Sequence, residues 1–596
     1  MATVLTPNTG DWDLTTYYEE RMGSAYQKDR QDFRAAIDQA LQETELVRLL
    51  IQWEKLVSDS EHMNSYLLCL RSADGRDQVV AQELASLQND CSRMRQLEVS
   101  LGEQLKELSE AQLDELLQDS RLKGLDYYLK RHRQRALWQM TGELENLAAE
   151  LDVDGMSAWG RLYDQVAGRL EFQYQSADGQ TLTAPMSMKV SLLEDPDPKV
   201  RKSVLEGSNR AWQGVEDVAA ACLNAIAGTR LTLYKRRNIP HFLAPALFDA
   251  AIERETLDSM LGAIASRYEL PRRYLRLKAK ILGVKQLGFQ DLSAPLPDLD
   301  HSRIAWDQAG KMLVEETRAA YPEFSKFCQE SLAKQWVDWS PREGKRPGGY
   351  CTGSSRASES RIFMTYHGAF GDLMTLTHEF GHAWHSHLIY QERPLNTLYP
   401  MTLAETASTF AENLLLDALL RAPATTRELR LKLLDSRLEQ AAAFLLNIPS
   451  RFLFEKRFYE ERSQGEVSVD RLKELMREAQ LEAYGDSLDP DQLDPYFWAS
   501  KLHFYITEIS FYNFPYSFGY LFSLGVYAQA QKRGEAFLPT YEKLLRATGQ
   551  RTAEQCAREN LEVELSQPQF WLDSLSLVEQ DMRQFEELVK EVYKIS

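Results

Sequence analysis

The run Thr377-His378-Glu379-Phe380-Gly381-His382 constrains this chain more than any other feature. Two histidines four residues apart on a helix project from one face, close enough for both imidazoles to grip one metal ion. Glu379 then stands beside the coordination position that water takes. Glu405, 23 residues beyond His382, is a third group of the right kind. The pattern is that of a metallohydrolase site.

The flanking residues agree. Asp372 is a suitable N-cap for a helix running to about His387. Leu373, Leu376, Phe380, Trp384 and Leu388 recur at spacings of three and four, giving the helix an apolar stripe. A buried helix with structural histidines would leave Glu379 near the core without a role, and buried carboxylates are costly unless paired. For the third ligand, His385 lies partly on the same face, but a straight helix rarely turns three side chains onto one ion. Leu388 occupies the place of the third histidine in the metzincin pattern, which excludes that class. A second helix over Met401–Glu412, after a Pro-containing loop from Glu392 to Pro400, can bring Glu405 opposite the histidine pair. Glu412 shares the face of Glu405 and could hydrogen-bond a ligand histidine. The competing readings are an exposed first-turn glutamate at 405, held by the helix dipole, and a solvated face at 412.

Thr375-Leu-Thr-His-Glu-Phe-Gly-His-Ala-Trp-His385, followed by Ala404-Glu-Thr-Ala-Ser-Thr-Phe-Ala-Glu412, resembles the oligoendopeptidase F and thimet oligopeptidase family of zinc peptidases, its bacterial oligoendopeptidase F branch most closely. His503-Phe504-Tyr505 and Phe511-Tyr512-Asn513-Phe514-Pro515-Tyr516 through Tyr520 resemble that family's His- and Tyr-rich segment, with Phe514 where many relatives have tyrosine. Arg361–Tyr366, Asp195–Arg201 and Lys235–Asn238 also match. The resemblance runs from about residue 165 to the C-terminus. It implies a mainly α zincin-type peptidase, with helical lobes around a deep substrate channel and a small β-sheet near the active site. It implies one Zn2+ per chain, with His378, His382 and Glu405 as ligands and Glu379 as general base on the attacking water. Tyr512, Tyr516 and His503 are the implied donors to the developing oxyanion, with Tyr520 a weaker match. The implied reaction is hydrolysis of internal bonds of short peptides, in the cytoplasm. For most of the rings from Tyr505 to Tyr527, packing in an aromatic core is the simpler reading.

Ile362, Met364 and Tyr366 alternate with Arg361, Phe363 and Thr365, which predicts a short strand whose free edge could pair with an extended peptide. Pro347–Ser355, rich in glycine, reads as a flexible loop near the substrate, with a plain surface turn as the competing reading, and lacks the lysine-serine ending of a phosphate loop. Cys351 lies on it, so thiol reagents are expected to affect activity.

A net charge of −19 argues against nucleic acid or an anionic membrane as the main partner. Met1–Gly10 lacks the basic and apolar run of a signal peptide. The apolar window Ile506–Ala530 contains Glu508, Asn513 and Pro515, which suits a buried helix and not a membrane span. Six dispersed cysteines without a C-x-x-C pair suit reduced thiols. Helical patterning covers 29–57, 59–71 and 76–118, and Arg169–Thr183 reads as a hairpin with an Asp-Gly turn. Asp195-Pro-Asp-Pro marks a boundary, giving an N-terminal lobe at 1–193 and a catalytic domain at 194–596. Two other readings stay open: a helical binding protein that keeps the metal site without turnover, and an exopeptidase with the same ligand set. The presence of Glu379 speaks against the first, and no motif announces a chain-terminus pocket for the second.

Overall fold

The computed structural model describes residues 11–297 and 303–595; the expectation placed on Met1–Gly10 lies outside them. The chain is mainly helical, with two small sheets. One is the antiparallel hairpin of β1 (Glu171–Gln175) and β2 (Thr181–Pro185), turning at Gly179 with φ +82. The other has three strands, β3 (Val337–Asp338), β4 (Tyr350–Ser354) and β5 (Glu359–Phe363), in the order β3-β5-β4.

Each of two compact units is built from three separate segments. The first comprises Met1–Trp138, His301–Ala422 and Val526–Val563; the second comprises Gln139–Asp300, Pro423–Gly525 and Glu564–Ser596. These divisions fall elsewhere than the sequence boundary at 193.

In the first unit, α1 (Ser24–Ala40), α2 (Leu46–Ala73) and α3 (Gln78–Glu107) replace the expected helices, because the chain turns at residues 41–45. Phe33, Ile37, Leu50, Leu97 and Leu101 are buried together between them. The buried Arg30 ties α1 to α3 through ion pairs of 2.7 Å with both Glu83 and Asp90. Such a buried cation is tolerable only because it is doubly paired.

The three-stranded sheet lies on α2. Tyr350 Oη donates to Ser72 Oγ at 2.8 Å, and Phe363 packs with Trp12 and Cys69. The sequence reading is corrected here in two respects. Residues 350–354 form β4, paired from Tyr350↔Phe363 to Ser354↔Glu359, where a flexible loop was expected. Consequently β5 is the central strand, flanked by β3 and β4, and the outer strands are β3 and β4. The strand also ends at Phe363 and not at Tyr366.

In the second unit, Phe172 and Ala184 of the hairpin pack on Val200 and Val204. Arg230 is buried and donates to the carbonyls of Ile506, Thr507 and Ile509 at 2.9, 3.0 and 3.3 Å. One side chain thus satisfies three backbone acceptors of a segment with no regular structure of its own.

Candidate metal centre

The H-E-x-x-H motif lies on a helix spanning Phe370–Ile389. Its apolar stripe is buried as expected: Leu373, Leu376, Phe380, Trp384 and Leu388 are all in the core. Asp372 is not the N-cap. The helix begins earlier, at Phe370 with Ala369 as N-cap, and Asp372 accepts backbone N–H bonds from Ala369 (3.0 Å) and His367 (2.8 Å). It thereby satisfies two donors ahead of the first turn, the carboxylate half of a capping box.

The expected second helix is interrupted at the residue that matters. Met401–Ala404 is one turn, and a longer helix runs over Thr406–Arg421. Glu405 sits at the break, with φ −85 and ψ 4, and Ser408 Oγ donates to its Oε2 at 2.7 Å. The helices bearing the histidines and Glu412 approach closely because Gly381 has no side chain. A Cβ there would lie 2.4 Å from Ser408 Cα and 2.6 Å from Ala407 O.

This approach brings three donors together. His378 Nε2 lies 3.1 Å from His382 Nε2 and 3.3 Å from Glu405 Oε2, and His382 Nε2 lies 3.6 Å from that same oxygen. Tetrahedral ligands at about 2.0–2.1 Å from zinc are separated by roughly 3.3–3.4 Å, so the donor set fits such an ion. Glu412 Oε1 accepts from His378 Nδ1 at 2.5 Å. That bond fixes the tautomer and turns the Nε2 lone pair toward the other two donors. Neither Glu405 nor Glu412 is an exposed helix-face residue: Glu405 is half-buried and Glu412 is buried.

Electrostatics follow from this crowding. Burial pulls the His378 imidazole down, but the Glu412 hydrogen bond and the charges of Glu412, Glu405 and Glu379 outweigh it and lift His378 to about 9. Burial and then His378 push His382 down to about 4. Burial pushes Glu379 up to about 7, with Glu405 and Glu412 adding to the effect and His378 opposing it. Glu379 is only 5% exposed, and its Oε2 is buried without a hydrogen-bond partner. Three carboxylates around two imidazoles form a pocket suited to a divalent cation.

Glu379, His378 and His382 open onto a cavity of about 540 Å³, lined also by Glu61 and Asn64 of α2, by residues 349–353, and by Tyr390 and Tyr399. Sequence reading missed the α2 contribution; it set 347–355 near the substrate, but as a loop and not as strand β4. The spacing of Tyr350 and Thr352 is a period-two signal, masked by Gly348, Gly349 and Gly353. His385 is not a ligand: it is fully buried, its Nε2 lies 2.9 Å from Thr548 Oγ1, and burial holds it down at about 3. Cys351 lines this cavity, and burial and then the charge of Glu379 hold its thiol well above the ordinary range.

The aromatic candidates gather in the second unit. The His503 ring stacks on Tyr512 with centroids 5.5 Å apart, and Tyr516 Oη reaches His503 Nε2 at 3.5 Å. Phe511 adopts a left-handed φ of +56 just before them. Glu455 holds that turn by accepting from Phe511 N–H at 2.9 Å and Asn513 Nδ2 at 2.6 Å. Tyr520 is buried and stacks on Phe444 at 4.8 Å.

A family model described as Peptidase family M3 matches residues 191–577, and one described as Oligopeptidase F matches residues 104–172. An oligoendopeptidase F homolog of Lactococcus lactis subsp. lactis is 26% identical over 531 residues, covering 85% of this chain and 86% of that protein. The chromosomal oligoendopeptidase F of Lactococcus lactis subsp. cremoris is 27% identical over 332 residues, which span 55% of this chain and about half, 54%, of that relative's length. Among solved structures, a chain from Chlamydophila abortus assigned as a peptidase superposes with TM-score 0.84 at 19% identity, covering 97% of this chain and 98% of its own. The oligoendopeptidase-F of Enterococcus faecium superposes with TM-score 0.70 at 18% identity, covering 95% and 99%. The chain therefore belongs to peptidase family M3, and is a metallopeptidase of the oligoendopeptidase F kind.

Proposed function

We propose that this protein is a zinc endopeptidase that cleaves internal bonds of short peptides, with one Zn2+ held by His378, His382 and Glu405. The observation that carries the reading is the donor triangle of 3.1, 3.3 and 3.6 Å beside a buried, unpartnered Glu379 oxygen. A zinc ion held there supplies Lewis-acid polarisation and lowers the pKa of water toward 7.

The side chains do the rest. Glu379, pushed up to about 7, is poised to take a proton from the attacking water and to hand one to the leaving amine. Glu412 keeps His378 in the tautomer that presents Nε2. Tyr512, Tyr516 and His503 carry hydrogen-bond donors of the kind that stabilise an oxyanion, and their role here is carried by the family resemblance. Six unpaired cysteines support work in a reducing compartment, for which the cytoplasm is our reading. No helix among the described residues is long and apolar enough to cross a membrane.

The test is metal removal and return. Dialysis against a chelator should abolish cleavage of end-blocked peptides, and stoichiometric Zn2+ should restore it. Cleavage confined to free-ended peptides would replace the endopeptidase reading with an exopeptidase.

A further inference from the structure

The second unit holds a cavity of about 310 Å³ that the proposed hydrolytic chemistry does not use. Leu193, Leu275, Phe289, Leu292 and Phe497 give it apolar walls. Three cations line it, Lys189, Arg451 and Lys501, and the last two share a ring. The Arg451 guanidinium carbon lies 5.4 Å from the centre of the Phe497 ring, and Lys501 Nζ lies 5.1 Å from the same centre. Among the described residues neither has a hydrogen bond or a carboxylate partner, and Arg451 Nε is buried without an acceptor. The acidic groups of the cavity pair with other lysines: Asp494 with Lys189, which also lines the cavity, at 3.0 Å, and Glu439 with Lys278 at 3.5 Å.

The local backbone is unusual as well. Arg451 enters from a helix over Ile448–Arg462 that follows a π-helical turn at Ala443–Asn447. Ala443, Asn447 and Arg451 all line the cavity. Asn447 donates to Tyr484 Oη at 3.2 Å while its Oδ1 is buried without a partner. Single π turns are rare and cluster at functional sites.

Two half-buried cations sharing one ring, neither in an ion pair, do not help a fold, because unpaired charge out of water is destabilising, and the charge of Asp494 offsets only part of this at Lys501. Burial, then Arg451 and Lys189, push Lys501 down to about 7, and burial pushes Arg451 down to about 10. A carboxylate would reverse this. It matches the planar fork of Arg451 and gives Lys501 a partner, while the apolar walls cover a neighbouring side chain. The volume is at the small end for ligand sites, enough for one or two residues.

We propose that this cavity binds a carboxylate of a peptide, with Arg451 and Lys501 as its cationic partners. The proposal rests on the peptidase reading for the identity of the ligand. The carboxylate can be the peptide's C-terminus or an acidic side chain.

The experiment compares kcat/KM on three N-blocked peptides of one sequence: a free C-terminal acid, its amide, and the amide with Glu replacing the last residue. Wild type should favour at least one carboxylate form over the plain amide by about tenfold, and that peptide names the source. In Lys501→Met and Arg451→Gln the ratio should fall toward one. A wild-type ratio near one, or a ratio unchanged in both variants, overturns the proposal. Titration calorimetry of wild type and Lys501→Met with an acetylated tripeptide acid and its amide reads binding without turnover. Failure of the peptidase reading, seen as no cleavage of any peptide, therefore remains distinguishable. Lys501→Met removes uncompensated charge and should melt no lower than wild type, so it carries the test should Arg451→Gln fold poorly.

Discussion

Glu379 and Glu412 flank the same imidazole and do different work. Glu379 is buried with one oxygen unpartnered, whereas Glu412 is committed to His378 Nδ1 at 2.5 Å. Glu379→Gln should therefore keep the metal and lower kcat by about 10²–10⁴-fold, the usual loss for a general base; metal analysis beside steady-state kinetics checks both. Glu412→Ala should weaken metal affinity by about 10–100-fold, read by competition with a chromophoric chelator. The histidine pair was legible in the sequence because i, i+4 spacing on a helix needs nothing but the helix. His385 was harder, since its partner Thr548 is distant in the chain. Arg451 and Lys501 were invisible for the same reason: what marks them is the absence of partners, which no sequence displays.

At the scale of elements, the two helices of the metal centre meet only because residue 381 is glycine. Elsewhere in a helix, glycine to alanine gains about 1 kcal/mol in propensity. Here the added Cβ would meet Ser408 Cα at 2.4 Å and Ala407 O at 2.6 Å, backbone atoms that cannot turn aside. Gly381→Ala should thus destabilise by about 1–3 kcal/mol or more and loosen metal binding, seen as a lower denaturant midpoint together with weaker zinc retention. The helix over Phe370–Ile389 was readable from its apolar stripe, and the hairpin from its Asp-Gly turn. The break at Glu405 was not, because Met401–Glu412 has no Pro or Gly to mark it. Strand β4 was misread because three glycines outweighed its short alternation, and pairing with β5 decided the outcome.

For the whole molecule, the first unit joins Met1–Trp138 to two segments far along the sequence, His301–Ala422 and Val526–Val563. The β5 side chain Arg361 is fully buried, and its guanidinium donates to Asp13 O and Thr16 Oγ1, each at 2.7 Å. A fragment of residues 194–596 would leave Arg361 its ion pair with Glu359 but strip away the acceptors on Asp13 and Thr16 and the cover of the N-terminal segment, so it should lack the cooperative melting transition of the full chain. The unit also carries an acid-sensitive group. His62 is 3% exposed, its Nδ1 lies 2.8 Å from Ser354 Oγ, and burial followed by Arg356 pushes its imidazole down to about 4. The unfolded chain then binds this proton first as pH falls, so stability drains between pH 6.5 and 4, by about 3 kcal/mol if the full shift operates. His62→Gln should reduce the fall in melting temperature over that window in a pH series, leaving the part that the likewise depressed His385 contributes.

The most direct test is mass spectrometry of short peptides incubated with wild type and with Glu379→Gln, with zinc measured in both proteins. The account predicts internal cuts by wild type alone and equal zinc in each. Equal cutting by the variant, or cutting that persists after the metal is stripped, would contradict it.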